Sequence, residues 1–226
     1  MEERYKRNIP ALSPEEQTQL AEKKVLVCGC GGLGGYVVEN LLRLGVGVIT
    51  VVDGDRFEES NLNRQLLSEA GTLGTPKVFA AVKRAESIAP KAGLNPICAF
   101  LTQENADELI KGHDLAIDAL DSPAARLVLE SACAKHDIPL IHGAVRGWSF
   151  QSAVIPAGSF LLRSLYGESE EDTSAENKSC LAMTCQCCAA VETAEALKLR
   201  CNRESSLWVR ILLFDLLTME QRIIEL

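Results

Sequence analysis

Val25-Leu26-Val27-Cys28-Gly29-Cys30-Gly31-Gly32-Leu33-Gly34 decides the fold of this 226-residue chain. The apolar run Val25–Cys28 is short and unbroken, as in a strand buried on both faces. Gly29, Gly31 and Gly34 then fit G-x-G-x-x-G, and Tyr36–Leu44 carries apolar residues at helical spacing. A strand, a glycine-rich turn and a helix in that order form a phosphate-binding unit: the glycines admit close backbone approach, and the helix N-terminus favours negative charge. Val48–Val52 is a second strand closed by Asp53, where a carboxylate can accept hydrogen bonds from ribose hydroxyls. A merely tight turn with a capping acid would not need all four features in register. The spacing therefore predicts nucleotide binding without naming the nucleotide.

Outward from this unit, helices are expected over Pro76–Ala89, Glu104–Lys111 and Ala124–His136, and strands over Pro96–Leu101, Leu115–Ala119 and Pro139–His142. Strand and helix alternate from residue 25 to 142, which implies a parallel sheet covered on both faces. Beyond it, Phe150–Ile155, Phe160–Leu165, Trp208–Phe214 and Gln221–Leu226 read as short antiparallel strands, the last two a hairpin across Asp215–Glu220. Between them fall an acidic loop, Gly167–Lys178, a cysteine cluster and a helix over Ala189–Leu199. Ahead of the first strand, Ser13-Pro14-Glu15-Glu16 has the form of a helix start. The expected architecture is α/β: a doubly wound, Rossmann-like, mostly parallel sheet continued by antiparallel strands. It comprises an N-terminal helical arm (1–24), a nucleotide-binding core (25–147) and an antiparallel extension (148–226) within the same domain.

Composition narrows the function. Hydrophobic residues at 47% and charged residues at 24% are those of a globular protein. No apolar run approaches the roughly 20 residues of a membrane span, and the charged N-terminus is not a signal peptide. The net charge of −8 argues against nucleic acid as an electrostatically captured partner. Nine cysteines without an export signal point to the reducing cytoplasm rather than to a disulfide framework.

The segment after Asp53 argues against a dinucleotide such as NAD. Arg64 and Lys77, the latter at a helix start, can both reach a nucleotide over the glycine loop, and two cations suit a triphosphate. Asp118-Ala119-Leu120-Asp121-Ser122 ends a later strand, where ligands of open α/β sheets bind and where a carboxylate can hold Mg²⁺ between phosphate oxygens.

These motifs resemble those of the ThiF/MoeB/HesA adenylyltransferases, relatives of ubiquitin-activating enzymes. The resemblance runs from Arg4-Tyr5-Lys6-Arg7 through the glycine loop, Asp53-Gly54-Asp55 and Ser60-Asn61-Leu62-Asn63-Arg64-Gln65. It continues through Lys77 and Asp118–Asp121 to Gly143-Ala144-Val145-Arg146-Gly147 and Glu195-Ala196-Leu197-Lys198-Leu199. It implies an enzyme that uses Mg·ATP to adenylate the C-terminal glycine carboxylate of a small ubiquitin-like sulfur-carrier protein. By resemblance, Gly29, Gly31, Gly32 and Gly34 cradle the nucleotide, Asp53 takes the ribose with Asp55 beside it, and Asn61, Arg64, Gln65 and Lys77 address the phosphates. Asp121 holds Mg²⁺, and Arg7 completes the neighbouring site of a homodimer. A sulfur-donor enzyme would be a further partner.

The chain departs from many relatives in its cysteines. Two C-x-x-C pairs that hold structural zinc there have no match here, since Phe160–Leu165 contains no cysteine and neither does the tail after Cys201. Cys180, Cys185, Cys187 and Cys188 could supply four ligands, but spacing this tight argues against Zn²⁺. By position Cys180, or equally Cys185, matches a reactive cysteine of some relatives, with thiols packed at a helix start as the plain alternative. Other readings are an ATP-dependent tRNA-modifying dehydratase of the same superfamily, an NAD-dependent oxidoreductase and a non-catalytic dimerisation subunit. The last two leave the ATP-facing positions without a role.

Overall fold

The computed structural model describes residues 2–167 and 179–225. One eight-stranded sheet runs through it in the order β3-β2-β1-β4-β5-β6-β7-β8. Its members are β1 (Lys24–Cys28), β2 (Val48–Val52), β3 (Gly93–Ile97), β4 (Leu115–Asp118), β5 (Leu140–Arg146), β6 (Ser149–Ile155), β7 (Arg210–Asp215) and β8 (Glu220–Glu225). Strands β1 to β5 pair in parallel, and from the β5–β6 hairpin onward every pairing is antiparallel. The helices are α1 (Pro14–Leu20), α2 (Gly34–Leu44), α3 (Lys77–Ile88), α4 (Ala106–Ile110), α5 (Pro123–Lys135), α6 (Leu161–Tyr166) and α7 (Ala182–Arg200).

The alternation of side chains along β1 shows why both faces must be covered. Val25 and Val27 enter a core with residues of α2, α3 and α7, whereas Leu26 and Cys28 enter a second core with residues of α4, α5 and α6. The parallel order reverses between β1 and β4, so a crevice opens at the carboxyl ends of those two strands. The glycine loop follows β1 directly into it. The expected doubly wound sheet with an antiparallel continuation is therefore the observed one, including the β7–β8 hairpin.

Three elements differ from expectation. Strand β3 begins at Gly93 and contains Pro96 instead of starting there. It is the edge strand: Gly93 N–H donates to Gly47 O, and Ile97 O accepts from Asp53 N–H. The intervening alternation turns residue 96 away from β2, so the proton that proline lacks has no sheet partner to lose. Phe160–Leu165, expected as a strand, is helical. Phe160 adopts a left-handed conformation, and the Glu130 carboxylate on α5 accepts from Leu162 N–H at 2.6 Å and Arg163 N–H at 3.1 Å. Finally, α7 starts at Ala182 instead of Ala189 and takes Cys185, Cys187 and Cys188 into its first two turns. Thr184, Cys185, Cys188, Glu192 and Glu195 recur at helical spacing on its buried side. The acidic loop expected at Gly167–Lys178 falls almost entirely outside the described residues.

Candidate active site

The glycine loop is shaped by what it cannot accommodate. Gly29 has φ +97°, and a Cβ there would meet Ala119 O at 2.4 Å; on Gly34 it would lie 1.9 Å from Gly29 O. The loop is thus packed backbone to backbone against the end of β4. Asp53 fastens the loop to the end of β2: its Oδ2 accepts from Cys30 N–H at 2.7 Å, and its Oδ1 accepts from Asp55 N–H at 2.8 Å. Two backbone donors fix the plane of this carboxylate at the cleft wall.

The cleft has a volume of about 550 Å³ and is lined by Gly29, Gly31, Gly32, Asp53, Asp55, Arg64, Gln65, Lys77, Asp121 and Cys180, among others. Lys77 is the first residue of α3, only 6% exposed, and its Nζ lies 2.9 Å from Asp55 Oδ2. Arg64 is held by donating from Nη1 to Ser60 O and Asn63 Oδ1, both at 2.9 Å. Gln65 is buried against Gly31, and its Oε1 has no hydrogen-bond partner among the described residues. Asp121 stands exposed at the cleft, just ahead of Ser122, whose Oγ accepts from Ala125 N–H to cap α5. The structure therefore brings Asp53, Asp55, Arg64, Gln65, Lys77, Asp121, Gly29, Gly31 and Gly32 to one cavity, whereas Gly34 packs behind them against Gly29 O and is not part of its lining.

Two expected residues lie elsewhere. The Asn61 side chain is turned into its own loop, its Oδ1 accepting from Glu58 N–H at 3.0 Å, because this 3₁₀ turn is closed by that bond. Arg7 sits exposed on the short 3₁₀ segment Glu3–Asn8, away from this chain's cleft lining.

Of the two aspartates at the end of β4 and just beyond it, only Asp121 faces the cleft with its carboxylate uncommitted among the described residues. Asp118 is fully buried: its Oδ1 accepts from Leu120 N–H at 3.0 Å, its Oδ2 from His142 Nδ1 at 2.7 Å, and Arg126 Nε lies 3.5 Å away. Burial outweighs this carboxylate and holds His142 below its ordinary pKa, so the neutral ring donates through Nδ1. His142 Nε2 then accepts from Gln151 Nε2 at 3.0 Å and lies 3.1 Å from the Tyr166 hydroxyl, which in turn accepts from Arg126 Nη1 at 2.7 Å. Arg126, Gln151 and Tyr166 line the cleft. Sequence reading missed this network because its members come from five elements, β4, α5, β5, β6 and α6. Its one linear trace is a histidine inside the otherwise apolar run of β5.

Cys180, half-buried at the cleft, has its Sγ 3.0 Å from Cys185 Sγ. The hydrogen bond from Cys185, together with the charge of Arg64, lowers the Cys180 pKa to about 7, while Cys185 is pushed far up by the same bond and by burial. Cys188 instead faces Gln151 O at 3.5 Å. Among the described residues no three His, Cys, Asp or Glu side chains converge as a metal-binding group.

The profile of the ThiF family matches residues 5–226. The chain is 31% identical over 222 residues to the SAMP-activating enzyme E1 of Haloferax volcanii, covering 96% of this chain and 82% of that protein. It is 38% identical over 154 residues to the sulfur carrier protein adenylyltransferase of Thermus thermophilus, covering 67% of this chain but 57% of that one. Among solved structures, E. coli MccB with ATP has a TM-score of 0.84 at 18% identity, covering 100% of this chain and 72% of that chain. The E. coli tRNA N6-threonylcarbamoyladenosine dehydratase TcdA has a TM-score of 0.74 at 23% identity, covering 87% and 93%. These two likenesses are of fold.

Proposed function

Because the chain belongs to the ThiF family, we propose that this adenylyltransferase binds Mg·ATP and activates the C-terminal glycine carboxylate of a small ubiquitin-like sulfur-carrier protein. The observation that carries the reading is the single cleft in which Asp53, the cations Arg64 and Lys77, and the uncommitted Asp121 meet over the glycine loop. That donor set fits the nucleotide: loop amides and two cations for phosphates, a fixed carboxylate for ribose. Asp121, an oxygen ligand opposite the cations, would hold Mg²⁺, which supplies charge neutralisation between phosphate oxygens.

A carboxylate is already a nucleophile near neutral pH, so the chain needs no general base. Its task is positioning and charge stabilisation while the carrier carboxylate bonds to the α-phosphorus and pyrophosphate leaves. Lys77 and Arg64 would stabilise the charge that develops there. Arg7 would serve a partner copy in a homodimer, and Cys180 would serve a later thiol step with a sulfur donor. Nine cysteines, all free, suit the cytoplasm.

Pyrophosphate–ATP exchange tests the reading. Exchange should appear with a ubiquitin-like carrier and vanish when its terminal glycine is removed. Exchange supported by tRNA and by no carrier would instead favour the dehydratase reading, and tight NAD binding with no response to ATP would sink adenylylation.

A further inference from the structure

Helix α7 opens without a side-chain cap, Leu181 occupying the N-cap position in extended conformation. The residue before a cap and the fourth residue of the helix meet across the first turn, where two apolar side chains ordinarily pack as a staple. Here those positions hold Cys180 and Cys185, and the helix start itself brings the sulfurs to 3.0 Å. Both are anchored. Cys180 forms a parallel bridge with Gly147, whose N–H donates to Ser179 O at 2.8 Å, and Cys185 N–H donates to Leu181 O at 3.1 Å. Cys180 is the accessible member; Cys185 is buried behind it, its Sγ 3.0 Å from where a Cβ on Gly32 would stand.

We propose that Cys180 and Cys185 are a redox-active dithiol in the cleft wall, oxidised reversibly to an intramolecular disulfide by small-molecule disulfides of the glutathione class. The Cys180 thiolate attacks one sulfur of the external disulfide, forming a mixed disulfide and expelling one thiolate. Cys185 then loses its proton to that thiolate and displaces the second thiol from Cys180. Two protein thiols thereby lose two electrons and two protons, and one external disulfide becomes two thiols. Closing the bond requires an approach of only about 1 Å. Accessibility and partial thiolate character near neutral pH, favoured first by the hydrogen bond from Cys185 and then by the charge of Arg64, make Cys180 the attacking sulfur. In the oxidised form the cleft offers no thiolate; in the reduced form it offers one. The inference stands on this geometry, whichever substrate the cleft activates.

The test takes the reduced full chain through glutathione buffers of rising oxidised fraction. Samples are acid-quenched, alkylated with iodoacetamide under denaturing conditions, digested without reductant and fragmented by mass spectrometry. The expected product is a peptide in which Cys180 and Cys185 both escape alkylation and have together lost two hydrogens, with dithiothreitol restoring both. In Cys185→Ser the reaction should stop at glutathione on Cys180, and in Cys180→Ser the Cys185 thiol should stay unmodified. Full alkylation of both residues at every ratio, a bond from Cys180 to a different cysteine, or a product that dithiothreitol does not reverse would overturn the proposal. The wild-type map decides the pairing even if a variant does not fold.

Discussion

Lys77 delivers a charge to the cleft from a nearly buried stem, paired to Asp55 at 2.9 Å. Lys77→Met keeps that stem and removes the charge, so it should lower pyrophosphate exchange by about a hundredfold or more while leaving the melting temperature close to wild type. Gly34 is constrained differently. A Cβ would overlap Gly29 O, so Gly34→Ala should cost at least about 1–3 kcal/mol in denaturant unfolding. Glu192 on α7 is fully buried, with neither carboxyl oxygen hydrogen-bonded among the described residues, and burial raises its pKa well above the usual carboxylate value. A raised folded pKa contributes stability that is full below the unfolded value near 4.5 and lost as pH rises toward the folded one. Glu192→Gln removes that loss, so melting curves should show the variant gaining on wild type as pH rises from about 5 to about 8. An equal difference at both pH values would place the effect in packing rather than protonation.

Among the elements, α1 is one whose start was legible to the residue, as were those of β2 and β4. Ser13 Oγ accepts from Glu16 N–H at 3.2 Å and Glu16 Oε2 accepts from Ser13 N–H at 2.7 Å, a reciprocal cap. Ser13→Ala should cost about 1 kcal/mol in denaturant unfolding. Arg203 donates from Nε and Nη2 to the same Glu16 carboxylate, both at 2.6 Å, and lowers its pKa to about 2. That contribution is present above the unfolded value near 4.5 and is lost as pH falls toward 2. Arg203→Ala should therefore narrow its stability gap to wild type over that interval, as acid titration by circular dichroism would show. A cap is a local arrangement, and so is a glycine loop followed by an acid; both stand in the sequence. The start of α6 is not local, because its donors are met by Glu130 from another helix, and the early start of α7 depends on packing Cys185 and Cys188 against the sheet. The same division runs through the cleft. Asp53, Arg64 and Lys77 belong to short motifs, whereas the Asp118–His142–Tyr166–Arg126 network exists only once four elements have assembled.

At the scale of the whole molecule, Arg7 is exposed and does not line the cleft of its own chain. If Arg7 completes a partner's site, mixing Arg7→Ala with Asp121→Ala subunits should restore exchange activity, because one site in each mixed dimer would keep both residues. Confirmed subunit exchange without recovery would exclude that role. At the scale of the sheet, Pro96 has a consequence apart from catalysis. The outer margin of β3 carries a gap in its row of donors, so an incoming strand cannot zip along it without losing a bond. At the opposite margin β8 has no proline, and all six of its residues are exposed. Among the described residues the sheet is thus one-ended: β8 keeps an unbroken row of donors and acceptors along its outer margin, while proline interrupts that row at β3 and so opposes runaway edge-to-edge stacking there.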